Sequence, residues 1–262
     1  MTIIYILILL FIILITISYI KIDINRIEIT DKKIDKDFKI LHLSDLHNRN
    51  IKKRLEKILN KEKPDLIILS GDMINERLKE TKNFMDIIPL LEQYDTYYTF
   101  GNHEEELSEK EYRIYSEIIN DTKLKILNNK GINISNNIYL YGLNIDVKYF
   151  LRFKNIKLQN KEIKDYLENL NNKNYNILIA HNPLFGELYS DYNVDLTLSG
   201  HVHGGLIRGL LSPEFKLFPK YYQNTYDIKN MKMIVSRGLG FSKKIPFRLF
   251  NPGEIIIINL KK

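Results

Sequence analysis

The sequence predicts an α/β protein built on two facing mixed β-sheets flanked by helices, preceded by an apolar N-terminal helix. Three observations carry this. Short apolar or β-branched runs at 38–43, 65–69, 96–100, 175–180 and 194–198 read as buried strands. Polar stretches with helical start and stop signals lie between many of them. Eighteen consecutive residues, Ile3 to Ile20, carry no charge.

In chain order, that first segment meets the lower range for a spanning helix, and its Ile and Leu content favours insertion. The basic n-region and small-residue cleavage site of a signal peptide are missing. Apolarity on every side argues against an ordinary core helix. The expectation is therefore an uncleaved single-pass membrane anchor over 1–21, a connector with a first strand over 22–37, and one main domain over 38–262. Alternating Ile22, Ile24, Ile27 and Ile29 suggest that strand. Residues 52–63 read as a helix with Leu55, Ile58 and Leu59 on one stripe and Pro64 as its stop. A second helix is predicted over 80–94, and a third over 108–121, where Ser108 and Glu111 match a capping box. Residues 125–127, 132–134 and 138–143 read as strands of the second sheet. A polar helix over 160–172 precedes strand 175–180, and strands at 224–228, 231–235 and 254–260 close the chain. Asn128-Asn129 and Asn171-Asn172 read as turns, and no internal repeat is evident.

With 262 residues the chain is long enough for one sizeable core. It contains no cysteine, which excludes a disulfide framework, a thiol nucleophile and a cysteine zinc site, and decides no compartment. The net charge of +7 is moderate and comes with no RNA- or DNA-binding motif, so no nucleic-acid partner is expected. An acyl-transfer hydrolase is excluded by the lack of a Gly-x-Ser-x-Gly elbow.

Five of the six histidines fall in islands directly behind the predicted strands: Asp45-Leu46-His47, Gly71-Asp72, Gly101-Asn102-His103-Glu104, His181-Asn182-Pro183 and Gly200-His201-Val202-His203-Gly204. Open α/β sheets place ligands at the carboxyl ends of strands. Brought together there, two Asp, one Asn and four or five His make a metal site. Imidazole suits Zn, Mn, Fe or Co, whereas Mg or Ca would want a site dominated by oxygen. The inventory divides between two divalent ions. Asp72, mid-order among the islands, is the natural bridge; Asp45, His47 and His203 complete one site, and Asn102, His181 and His201 the other. Two ions roughly 3.5–4 Å apart clamp the attacking and leaving oxygens in phosphoryl transfer. Two carboxylates leave such a pair positive, which favours an anionic substrate.

The order Asp-x-His, Gly-Asp, Gly-Asn-His-Glu, His, Gly-His-x-His resembles the calcineurin-like metallophosphoesterase superfamily, from about Lys39 to the C-terminus. Single islands are weak signals, but five in order behind predicted strands are very specific. The resemblance implies the four-layer αββα fold, supports the ligand division, and gives His103 the role of general acid or charge stabiliser, with Asn102 also touching a phosphate oxygen. Many relatives carry Asp after that histidine; Glu104 stands here and is placed to orient the imidazole through one ring nitrogen. Gly-His-Val-His-Gly-Gly, Val235-Ser236-Arg237-Gly238-Leu239-Gly240, Pro246-Phe247-Arg248 and Asn251-Pro252-Gly253-Glu254 resemble a bacterial subgroup with an N-terminal membrane or export segment. Some of its members are assigned to UDP-diacylglucosamine pyrophosphate hydrolysis in lipid A biosynthesis. Leu206 stands where relatives often have Gln, and Pro252-Gly253-Glu254 replaces the usual Pro-Glu; both departures bear on substrate identity, not on a metal ligand.

The resemblance implies hydrolysis of a phosphoester or pyrophosphate bond in a membrane-associated substrate such as UDP-2,3-diacylglucosamine, with the lipid bilayer as partner. The alternatives are a nucleotide or cyclic-nucleotide phosphodiesterase, and a non-catalytic membrane-anchored scaffold, which this chain's complete ligand set disfavours. The side of the membrane stays open: Lys21, Arg26, Lys32 and Lys33 predict a cytoplasmic domain, exported relatives the opposite. His42, one residue out of the motif, reads as a packed or hydrogen-bonded strand histidine. Lys52-Lys53-Arg54 reads as a solvated helix start, with phosphate attraction as the sharper option. Two aromatic and basic segments, 149–154 and 206–222, either cap the metal site and receive a lipid tail, with Phe150, Phe153 and Arg208 as substrate contacts, or pack as ordinary loops.

Overall fold

The computed structural model describes residues 2–75, 77–150, 156, 158–204, 220–241, 248 and 250–262. Its strands are β1 (Ile22–Thr30), β2 (Phe38–Leu43), β3 (Leu66–Leu69), β4 (Asp95–Tyr98), β5 (Lys125–Ile126), β6 (Lys130–Asn133), β7 (Ile138–Leu143), β8 (Tyr175–Ala180), β9 (Leu196–Ser199), β10 (Asn224–Ile228), β11 (Met231–Val235) and β12 (Gly253–Lys261). They form two six-stranded sheets, in the orders β1-β12-β2-β3-β4-β5 and β10-β11-β9-β8-β7-β6. Both are mixed: β12 runs antiparallel to β2, whereas β2, β3, β4 and β5 are parallel, as are β7, β8, β9 and β11.

The period-two alternation of each strand divides its side chains between layers. Ile40, Ile68, Ile256 and Ile258 from one sheet meet Leu140, Ile177, Ile179, Leu198 and Ile234 from the other in a shared inner core. The alternate residues Leu41, Leu43, Ile67, Leu69, Ile255 and Ile257 face helices on the far side of the first sheet, including Leu55, Ile58 and Leu59. Leu178, Ala180, Met233 and Val235 do the same for the second, against Ile163 and Leu167. The result is the expected pair of facing sheets between helical layers.

Local signals account for most boundaries. Helix α2 (Lys52–Glu62) ends on Lys63 in a left-handed conformation whose amide caps Leu59, just before Pro64. Helix Glu109–Asn120 starts on the Ser108–Glu111 capping box. Three expectations are corrected. The stretch 80–94 is broken into Leu78–Glu80, Lys82–Met85 and Ile88–Leu91, with Pro89 in the first turn of the last piece, where its missing amide is tolerated. The polar helix stops at Leu167 rather than continuing to 172. Strand β5 belongs to the first sheet, not the second, because it pairs in parallel with β4.

The N-terminal anchor is also corrected. Residues Thr2–Ile20 form helix α1, but among the described residues no helix is long and apolar enough to cross a membrane. This overturns the single-pass membrane localisation. The last turn is also engaged by the domain: Ser18 is buried, and Tyr19 stacks on Phe241 with ring centroids 4.7 Å apart.

Candidate metal centre

Every island leaves the carboxyl end of a parallel strand: Asp45 and His47 after β2, Asp72 after β3, Asn102 and His103 after β4, His181 after β8, and His201 and His203 after β9. The two sheets thereby bring their strand ends to one edge. Asp45, His47, Asp72, His201 and His203 all adopt left-handed backbone conformations (φ between 45° and 68°). Each non-glycine residue held there costs on the order of 1 kcal/mol, and the surrounding fold must supply it. Two motif glycines are needed for close approach. A Cβ on Gly101 would lie 2.3 Å from Asp72 Oδ1, and one on Gly200 would lie 2.2 Å from Asp45 Oδ2.

Ligand-type atoms converge in three overlapping groups, Asp45/His47/His203, His47/Asp72/His103 and Asp72/His181/His201, each within 4.8 Å. Asp72 Oδ2 lies 3.1 Å from His181 Nε2, 3.9 Å from His47 Nε2 and 3.8 Å from His103 Nε2. Asp45 Oδ1 lies 3.6 Å from His203 Nε2 and 3.9 Å from His181 Nε2. Asp72 thus stands between the two ends of the cluster.

The surroundings fix these donors. His181 Nδ1–H donates to the Ser70 carbonyl at 2.6 Å, so Nε2 faces Asp72 as a potential ligand. Asp45 accepts from the His201 amide at 2.9 Å and from the Ser44 hydroxyl at 2.5 Å, and Asp72 Oδ1 accepts from the His103 amide at 2.9 Å. Burial pushes Asp45 up to about 6 and His47 down to about 3, and holds His203 well below its ordinary range. Burial alone would lower His181, yet the Asp72 carboxylate and then Asp45 push it up to about 10. Burial would raise Asp72, but His181 and His103 hold it well below the usual carboxylate range.

Divalent metal fits this donor set. Imidazole nitrogens and buried carboxylates aim at shared points, with His47 Nε2 and His203 Nε2 only 3.1 Å apart. The amide oxygen of Asn102 is buried without a hydrogen-bond partner, while its nitrogen donates to Glu106. A buried, unsatisfied carbonyl is costly unless something else takes its lone pair.

Other expectations resolve differently. Glu104 does not touch the His103 imidazole; it is fully buried and accepts from backbone amides of the Asp72 loop. His42 is a strand histidine, bonded to the Ser70 hydroxyl at 2.7 Å. Phe150 lies near the cluster, its ring centroid 5.0 Å from His201 and 5.8 Å from His181. Arg208 and Phe153 lie outside the described residues. Sequence reasoning gave Arg248 no role; it is buried and donates to His203 Nδ1 at 2.8 Å and to the Gly238 carbonyl. Burial pushes its guanidinium down to about 9. Since Nδ1 accepts that bond, a neutral His203 carries its proton on Nε2, the nitrogen that would meet a cation. The signals were its place in the Pro246-Phe247-Arg248 motif and its charge in an otherwise apolar stretch.

The fold and these side chains define a two-sheet α/β protein with a candidate metal centre of histidines and aspartates at the strand ends. The calcineurin-like phosphoesterase family pattern matches residues 38–205, and the chain belongs to that family. It is 30% identical over 250 residues to an uncharacterized metallophosphoesterase of Campylobacter jejuni, covering 91% of this chain and 63% of that protein. A Helicobacter pylori uncharacterized metallophosphoesterase is 30% identical over 238 residues, covering 87% and 61%. The chain therefore spans about three fifths of the length of these relatives. Among solved structures, Haemophilus influenzae NAD nucleotidase shares the fold, with a TM-score of 0.50 at 15% identity over 78% of this chain and 45% of that one.

Proposed function

We propose that this chain hydrolyses a phosphoester or pyrophosphate bond with two divalent cations, of Mn, Fe, Zn or Co type. The observation that carries this is Asp72, whose carboxylate faces histidines from both sheets. Asp45, His47, Asp72 and His203 hold one cation; Asp72, Asn102, His181 and His201 hold the other. When bound, the pair supplies Lewis-acid stabilisation of the phosphoryl oxygens and acidifies a water.

The chain's own groups do the rest. Asn102 offers a buried amide oxygen with no hydrogen-bond partner. His103, 14% exposed and at the edge of the cluster, protonates the departing oxygen through a ring nitrogen. The cluster's two central carboxylates leave a four-positive pair in excess, so the site draws anions. Phe150 offers an apolar edge beside His201, which supports a substrate bearing an apolar group next to its phosphate, such as UDP-2,3-diacylglucosamine. No nucleic-acid partner is part of this reading.

The test loads the full chain with manganese and offers UDP-2,3-diacylglucosamine beside a generic phosphodiester, with products followed by phosphorus NMR. UMP and a lipid phosphate are expected. Turnover of the generic ester alone keeps the phosphoesterase and discards the lipid nucleotide. No turnover with any of the four metals discards the enzyme.

A further inference from the structure

Glu104 is a fully buried carboxylate that the proposed chemistry does not use. Its Oε2 accepts from the amides of Asp72 at 2.9 Å and Gly101 at 2.7 Å, and its Oε1 from those of Met73 at 2.7 Å and Ile74 at 3.2 Å. Four backbone donors from two loops thus converge on one side chain. The first loop carries Asp72, left-handed at φ 56°, and the second leads directly into Asn102 and His103. The Tyr98 hydroxyl, 2.9 Å from that of Tyr115, lies beside the carboxylate on the core side. Among the described residues no lysine or arginine donates to it.

We infer that Glu104 is the positioning residue for the bridging carboxylate: it holds Asp72 in its left-handed turn and locks the Asp72 loop to the Asn102 loop, so that one cation pair can share Asp72. The chemistry explains why a carboxylate stands here. Two oxygens with about four lone-pair sites match four N–H groups, whereas a glutamine would turn an NH2 against two of them. Outer partners of this kind are worth about 10- to 100-fold in metal affinity.

The inference rests on the two-cation reading, and the experiment separates them. Full-length wild type, Glu104→Gln and Tyr98→Phe are titrated with Mn2+, and bound metal is read by electron paramagnetic resonance, with circular dichroism to confirm folding. Wild type is expected to show an exchange-coupled pair. Glu104→Gln should bind the second Mn2+ at least about tenfold more weakly and show uncoupled ions. Tyr98→Phe, which touches the same carboxylate from the core side, should lose stability but keep the coupled signal; a merely structural role would make the two variants alike. If Glu104→Gln does not fold, Glu104→Asp carries the test, since it keeps the charge but cannot reach all four amides. A coupled pair of wild-type affinity in the folded Glu104 variant overturns the inference alone. A wild type without any coupled pair overturns the two-cation reading and the inference with it.

Discussion

His103 and Asp72 sit in one cluster, and the proposed reaction gives them separable tasks. His103→Ala is expected to lower turnover by about 10²- to 10⁴-fold, the range of general acid catalysis, with metal content unchanged by elemental analysis. Loss of both metals would instead make His103 a ligand. Asp72→Asn should remove shared metal binding and cost about 100-fold or more in activity, a larger loss than an outer partner's. His42 tests a different property. Burial pushes it down to about 3 from 6.5, so the unfolded chain takes up this proton first as pH falls. Its contribution is therefore intact above pH 6.5 and is eroded toward pH 3, by up to about 1.4 kcal/mol per pH unit. Urea denaturation at pH 7.5 and 5.5 should show wild type losing roughly 1 kcal/mol more than His42→Asn. Equal losses would mean that His42 is protonated in the native state.

Strand β7 illustrates how an element constrains its own sequence. Gly142 pairs with Lys130 and Ile179, and a Cβ there would lie 2.0 Å from the Leu127 carbonyl and 2.3 Å from Thr99 Oγ1. Backbone cannot yield as a side chain can, so Gly142→Ala should cost about 1–3 kcal/mol in chemical denaturation. A neutral substitution would show that the two sheets are free to separate locally at this point. The Thr99 and Leu127 contacts also show why β5 joins the first sheet: Leu127 N donates to Tyr98 O, which extends the β4 pairing while β6 turns back to β7.

At the scale of the whole molecule, the centre is a place where both sheets store unfavourable terms: five left-handed residues and three buried carboxylates, Asp45, Asp72 and Glu104. Cations bound there bind the folded chain preferentially, so they should stabilise it. Removing metal with EDTA is expected to lower Tm, and Mn2+ at a hundred times its Kd should restore about 2.7 kcal/mol, read by differential scanning calorimetry. A Tm indifferent to Mn2+ would count against a centre shared between the sheets.

Much of this was legible in the chain itself. The alternation of Ile40, Leu41, Ile67 and Ile68 specifies strands with two buried faces, and a strand's polar end has to fall where its apolar run stops; the islands at Asp45, Asp72, Asn102, His181 and His201 follow from that local rule. Ser108, Glu111 and Pro64 set helix ends within a turn or so, because capping is satisfied by neighbours in sequence. What the sequence did not determine depends on partners distant in the chain. Glu104 was read toward its neighbour His103, but four amides, three of them thirty or more residues away, take its carboxylate. The seat of β5, the approach of Arg248 to His203, and the docking of Tyr19 on Phe241, which bears on the corrected anchor, are of the same kind. Periodicity and capping are local and can be read one residue after another; a hydrogen bond or ring contact across the fold exists only once the sheets have packed and water has left, so tertiary structure alone decided those.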